Sequence, residues 1–269
     1  MRLRLDLGYD GTDFHGWAVQ PGQRTVQGVL EPWIAQVLRL PSEPTLVVAG
    51  RTDAGVHARA QVCHVDLDVE SDPSVELLRR LQRVLPHDIA VRSVATAPDG
   101  FDARFSATWR RYCYRVSDEG SFHDPLLRGH VTRLPFPLDV GALNSAAATV
   151  LGLRDFAAFC KPRDGATTIR ELREVGALRR EDGVVEIWLQ ADAFCHSMVR
   201  SLVGALTAVG GGRRTLAWLE EVAASPRRHS EVPVMPAHGL TLEAVGYPAE
   251  KDLAQRAEQA RNVRTLEEA

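Results

Sequence analysis

The first residues of the chain alternate. Leu3, Leu5 and Leu7 fall on one side and Arg2, Arg4 and Asp6 on the other, the period of a half-buried strand. Asp10-Gly11 then predicts a turn. Beyond Thr25, a candidate N-cap, Val26, Val29, Leu30, Trp33, Ile34, Val37 and Leu38 recur at helical spacing and outline a wide apolar stripe. Pro32 lies inside that stripe and cannot donate to the carbonyl of Gly28, which predicts a kink or a later helix start.

Residues 45–49 form a short β-branched run, and from Gln61 onward Cys63, Val65, Leu67 and Val69 share one face. The segment from Gly50 to His57 therefore reads as a loop between two strands. Leu77, Leu78, Leu81 and Leu85 predict a helix from Ser74 to about Leu85, and Ile89, Val91 and Val94 a strand after it. The order of this half is β-α-β-β-α-β. The second half repeats the theme, with a strand over 112–117, a helix over 139–150, and long strands over 168–180 and 184–191 that meet at Asp182-Gly183, a hairpin dipeptide. Met198, Val199, Leu202, Val203, Leu206 and Val209 predict an apolar helix that stops at Gly210-Gly211-Gly212, and Leu240 to Tyr247 a last strand. Strands and helices mixed without strict alternation indicate an α+β fold of two similar halves, each laying helices on an antiparallel sheet. With the junction near Pro98-Asp99-Gly100, the expected domains are residues 1–100 and 101–248, followed by a charged, alanine-rich tail over 249–269, either a solvated helix or frayed.

Composition narrows the class. Of 269 residues, 45% are hydrophobic and 25% charged, as in ordinary globular proteins. The formal net charge of -3 gives no global attraction for a polyanion, so a nucleic-acid partner must be served by a local basic surface. Nearly all the positive charge is arginine, Lys161 and Lys251 being the lysines, and a planar guanidinium forks onto phosphates or stacks on bases. The start of the chain lacks the apolar core of a signal peptide, and no apolar run approaches membrane-spanning length, so a cytoplasmic protein without a membrane partner is expected. The cysteines Cys63, Cys113, Cys160 and Cys195 are widely spaced with no C-x-x-C pair and read as reduced thiols. His57 and His64 have no acidic or cysteine ligand at customary spacing and His196 stands alone, so no metal is expected. A Walker loop, a dinucleotide fingerprint and a serine or cysteine nucleophile motif are all missing from the sequence.

The stretch Gly50-Arg51-Thr52-Asp53-Ala54-Gly55-Val56-His57-Ala58 concentrates glycine, an acid, a base and a hydroxyl between two strands. Glycines let a loop adopt conformations closed to other residues, and an acid presented there serves as nucleophile or base. Spacing alone favours a blander outcome, an Asx-type turn in which Asp53 caps backbone amides and Arg51 pairs with it. Tyr112 and Tyr114 fall on one strand face and on their own read as core aromatics.

The nonapeptide closely resembles the signature of the TruA family of tRNA pseudouridine synthases. Tyr9-Asp10-Gly11 with Gly16-Trp17, Thr25-Val26-Gln27, Leu85-Pro86 with Asp88-Ile89, Phe101 to Ala107, Met198-Val199-Arg200 and Gly239-Leu240 resemble further family motifs in family order. The resemblance implies the pseudouridine synthase fold and isomerisation of uridines 38, 39 and 40 in the tRNA anticodon stem-loop, by a homodimer that needs no cofactor. It implies that Asp53 is the nucleophile of a covalent intermediate, that Arg200 pairs with it, and that Tyr112 stacks on the target base and helps move its proton. Arg51 resembles the arginine that displaces the uridine from its stack, a step every enzyme acting on a stacked base must provide. Ala18, Ala60, Arg83, Val84, Cys195, Ser197 and Ser201 depart from common family residues, and none of them is a residue carrying the chemistry.

Residues 101–115 hold Arg104, Arg110, Arg111 and Arg115 against the single acid Asp102, interleaved with Phe105, Trp109 and the tyrosines. Such a pattern suits an RNA surface or, without RNA, a solvated strand face; with the resemblance, Arg104 and Arg111 are the expected RNA contacts. Two rivals carry their own tests. A non-catalytic RNA-binding module on the same sheet would have no use for Asp53, Tyr112 and Arg200 together. A metal-dependent hydrolase built on Asp53 and His57 would lose its activity on chelation.

Overall fold

The computed structural model describes residues 1–163 and 165–261. In chain order these carry β1 (Arg2–Tyr9), α1 (Val26–Leu38), β2 (Leu46–Val48), β3 (His57–Asp66), α2 (Ser74–Val84), β4 (Ile89–Thr96), β5 (Trp109–Ser117), β6 (Thr132–Arg133), α3 (Val140–Ala148), β7 (Gly152–Asp155), β8 (Ile169–Arg179), β9 (Val185–Ala191), α4 (Met198–Gly210), α5 (Leu216–Ala223), β10 (Leu240–Gly246) and α6 (Leu253–Gln259). The fold is α+β. Contacts divide the described chain into two compact units, Met1–Thr108 with residues 242–261, and Trp109–Thr241.

In the first unit the strand order is β4-β1-β3-β10, with β2 paired on β3. β1 runs antiparallel to both β3 and β4. Its alternation is realised: Leu3, Leu5, Leu7 and Tyr9 are each at most 5% exposed. Each such leucine contributes about 1.5–3 kcal/mol through burial. α1 begins at Val26 because Thr25 Oγ1 accepts the Gly28 N–H at 3.2 Å, and it buries Val26, Leu30, Ile34 and Val37. The later start that Pro32 suggested is not taken; Pro32 lies on the exposed face of the helix, where losing one intrahelical bond costs least. α1 also positions β2, since the buried Glu31 accepts the Leu46 N–H at 2.7 Å. β3 begins at His57, earlier than its own apolar period indicated, because Ala58 finds a pairing partner in Tyr9 of β1. His57 is thus a strand residue and the loop ends before it.

In the second unit β5-β9-β8-β7 are neighbours, all antiparallel, and the two-residue β6 adds in parallel to β5. The β8–β9 hairpin turns at Asp182-Gly183, with Gly183 at φ +85. α3 packs on β8 and on α4. α4 is buried along nearly its whole length and approaches the chain so closely that a Cβ on Gly204 would stand 1.9 Å from the Pro233 carbonyl oxygen. Sequence patterning did not show β6, β7 or α5. The tail is a helix at its start, where Leu253 and Ala257 are buried in α6. The rest of it, residues 262–269, lies outside the described residues. No described helix is long and apolar enough to cross a membrane.

Candidate active site

The loop expected to carry the chemistry lies in the first unit, between β2 and β3. It leaves the sheet after Ala49, whose N–H bonds the Val62 carbonyl at 2.8 Å. Asp53-Ala54-Gly55-Val56 closes as a turn: the Val56 N–H reaches the Asp53 carbonyl at 3.2 Å, and Gly55 takes φ +76 at the third position. Asp53 is therefore a half-buried side chain at the first corner of a tight turn.

Residues 11–17 back this loop. The Trp17 N–H donates to the Thr52 carbonyl at 3.1 Å and the Gly55 N–H to the Phe14 carbonyl at 3.1 Å, so backbone bonds hold the chain on either side of Asp53. Two glycines make this approach possible. A Cβ on Gly11 would lie 2.1 Å from the Val56 carbonyl oxygen, and one on Gly16, at φ +90, would lie 2.7 Å from that of Thr52. His57 Nδ1 sits 2.9 Å from the Gly11 nitrogen and 3.0 Å from Asp10 Oδ1. One nitrogen cannot accept from the amide and donate to the carboxylate at once.

Below the loop is a buried polar group that sequence reading did not single out. Tyr9 Oη and Thr52 Oγ1 are 2.7 Å apart, and Gln61 Nε2 donates to Tyr9 Oη at 3.2 Å and to the Gly50 carbonyl at 2.9 Å. Burial pushes the Tyr9 phenol up to about 12, against the opposing pull of its bonds with Thr52 and Gln61. The signal for this group was present: Gln61 is a polar residue in phase with Cys63, Val65 and Leu67. Arg51 is exposed and makes no ion pair among the described residues, so it is not the partner of Asp53 that spacing suggested. Among the described residues no three His, Cys, Asp or Glu side chains cluster as a metal site requires.

The other expected residues, apart from Arg104, lie in the second unit. Tyr112, on β5, is 7% exposed and meets the Phe194 ring edge-on, with centroids 5.2 Å apart. Tyr114 is fully buried and bonds Thr132 Oγ1 at 2.7 Å and the Pro236 carbonyl at 2.8 Å. Burial raises its phenol, with Thr132 and the charge of Arg200 pulling the other way. Arg200, half-buried in the first turn of α4, is held by its backbone neighbours: its Nε donates to the Met235 carbonyl at 2.6 Å, and its own carbonyl accepts the Met235 N–H at 3.2 Å. It is not a freely solvated arginine.

The basic run over 101–115 separates into two kinds. Arg110 is buried and donates to the Asp192 carbonyl at 2.8 Å, and the buried Arg115 donates to Glu186 at 3.1 Å, so both serve the interior. Arg104 is exposed in the first unit, its guanidinium 4.9 Å from the Phe105 ring centroid. Arg111 is half-buried in the second, 5.6 Å from the Trp109 centroid and bonded to Gln190 at 3.0 Å.

Comparison with known proteins adds an independent line. A family model described as tRNA pseudouridine synthase matches residues 146–248, a span that includes Arg200. A tRNA pseudouridine synthase A of Cutibacterium acnes is 62% identical over 266 residues, covering 98% of this chain and 95% of that protein. One from Streptomyces avermitilis is 56% identical over 271 residues, covering 99% and 95%. One from Mycobacterium leprae is 49% identical over 278 residues, covering 98% and 96%.

Proposed function

Since this chain belongs to the tRNA pseudouridine synthase A family and is an isomerase that forms pseudouridine in tRNA, we propose that it acts on uridines 38, 39 and 40 of the anticodon stem-loop, with the Asp53 carboxylate as nucleophile. The observation that carries this reading is the loop itself: a carboxylate at the corner of a turn whose two flanks are pinned by backbone bonds to Trp17 and Phe14. Such pinning is what a nucleophile needs and a surface Asx cap does not.

The chemistry is a rearrangement. Asp53 forms an ester with the sugar carbon as the bond from that carbon to the base nitrogen breaks. The freed uracil rotates and rejoins the same carbon through its own carbon, which expels the carboxylate. A proton leaves that base carbon and one is gained at the released nitrogen, so no electrons are lost and the reaction needs no redox carrier or activated phosphate. In this reading Arg200 pairs with the carboxylate and holds it in place. Tyr112 stacks on the target base and helps move its proton, Arg51 helps displace the uridine from its stack, and Arg104 and Arg111 hold phosphates. The working form is a homodimer in the cytoplasm.

The test uses the pure protein with anticodon stem-loops and full-length tRNA, without added metal or nucleotide. Pseudouridine should appear at the three positions, and Asp53→Ala should form none while still binding tRNA in a salt-sensitive way. No product from full-length tRNA at high enzyme concentration, or clear turnover by Asp53→Ala, would overturn the reading.

A further inference from the structure

We infer that Tyr9 is a positioning residue, which sets the place of the Asp53 carboxylate by bonding Thr52 from below while Gln61 locks both to the sheet. The inference rests on the reading of Asp53 as nucleophile and adds the device that holds it. Thr52 immediately precedes Asp53, and its side chain and its backbone are held separately: Oγ1 lies 2.7 Å from Tyr9 Oη, and its carbonyl accepts the Trp17 N–H at 3.1 Å. Gln61 is a fork whose orientation is set, because Oε1 accepts the Val62 N–H at 3.2 Å and leaves Nε2 to reach Tyr9 Oη and the Gly50 carbonyl at 3.2 and 2.9 Å. The loop is thus tied at Gly50 and at Thr52 to side chains of β1 and β3.

Water cannot replace these bonds. Tyr9, Thr52 and Gln61 are 5%, 6% and 0% exposed. The Gln61 amide donates to Tyr9 Oη, either hydroxyl can donate in the Tyr9–Thr52 bond, and the raised phenol keeps its proton at neutral pH. Removing either hydroxyl leaves the buried group opposite it one hydrogen bond short, and the segment must shift to satisfy it. A shift of about 1 Å at a reacting group costs on the order of a hundredfold in rate. Side chains this buried present nothing to tRNA. A positioning role therefore predicts loss of rate with binding retained.

The experiment measures single-turnover rate at saturating tRNA, tRNA affinity and thermal melting for the full chain and for Tyr9→Phe, Thr52→Val, Thr52→Ser, the Tyr9→Phe/Thr52→Val double variant and Asp53→Ala. Tyr9→Phe and Thr52→Val should each slow the reaction by about tenfold to a hundredfold, with tRNA affinity within about threefold of the parent. The double variant should be no slower than the slower single, because both remove the same link. Thr52→Ser, which keeps the hydroxyl, should retain most of the rate. A folded Tyr9→Phe with the parental rate, additive losses in the double, or Thr52→Ser as slow as Thr52→Val would each overturn the positioning role. If Tyr9→Phe does not fold, the contrast between Thr52→Val and Thr52→Ser decides alone. Asp53→Ala separates the two claims: turnover by it removes the nucleophile, whereas inactivity beside a fully active Tyr9→Phe removes only the positioning.

Discussion

The loop that carries Asp53 and the segment that carries Arg104 and Arg111 both present charge, and the fold treats them differently. Around Asp53 the restraint comes from the backbone and from buried side chains: amides of Trp17 and Gly55, glycines with no room for a Cβ, and hydroxyls at 2.7 Å in a dry interior. Arg200, in the second unit, is restrained in a similar way, its Nε donating to the Met235 carbonyl. Arg104 is exposed beside a ring 4.9 Å away, and Arg111 has a ring at 5.6 Å, a bond to Gln190 at 3.0 Å and an ion pair to Glu174 at 3.4 Å between side chains 39% and 60% exposed. Such an exposed pair contributes little to stability. The difference fits the two tasks proposed for these residues. A reacting carboxylate must be held within a fraction of an ångström, whereas a group that holds phosphates gains from adapting to a flexible partner.

The largest effect that sharpens this contrast is expected at Arg200. Replacing it with methionine keeps much of the apolar stem and removes the charge, so the fold should survive better than the activity. The single-turnover rate should fall by about a hundredfold or more. If Arg200 pairs with Asp53 as proposed, the loss should appear in the rate of the chemical step and leave tRNA affinity largely intact. A folded, tRNA-binding variant with the parental rate would remove Arg200 from the proposed machinery.

An intermediate effect is expected at Gly16. An added Cβ there combines φ +90 with a 2.7 Å approach to the Thr52 carbonyl oxygen. Gly16→Ala should destabilise the protein by about 1–3 kcal/mol, read as a lower urea midpoint, and should slow turnover more than it weakens tRNA binding. Unchanged midpoint and rate would show that residues 11–17 do not restrain the loop. The smallest effects should come from Arg104→Ala and Arg111→Ala. Each should weaken tRNA binding a few-fold and reduce the slope of log affinity against log salt by roughly 0.7 for every phosphate no longer neutralised, with the saturated single-turnover rate preserved. An unaltered salt slope in both would return these arginines to the solvated strand face.

Much of this architecture was legible in the chain. The alternation of Leu3, Leu5 and Leu7, the stripe from Val26 to Leu38, the paired strands around Asp182-Gly183 and the apolar run from Met198 each correspond to an observed element. Elements this long repeat a burial period often enough to be read. The two-residue β6 and the four-residue β7 do not, since a couple of residues hold no period and their pairing is supplied by β5 and β8.

What the sequence determined by itself is where the chain extends and coils, and which short stretch concentrates glycine, acid and base, because these follow from side-chain periodicity and local backbone freedom. What only the tertiary structure decided is which partners the isolated polar residues meet. Within one run of arginines it buried Arg110 and Arg115 and left Arg104 exposed. It set Arg200 against Met235, and it brought Tyr9, Thr52 and Gln61 together from positions up to 52 residues apart to bear on the residue before Asp53. A polar side chain carries no mark of its partner in the local pattern. Its role is set when packing removes water and leaves the hydrogen bonds of the assembled interior as the only ones it can make.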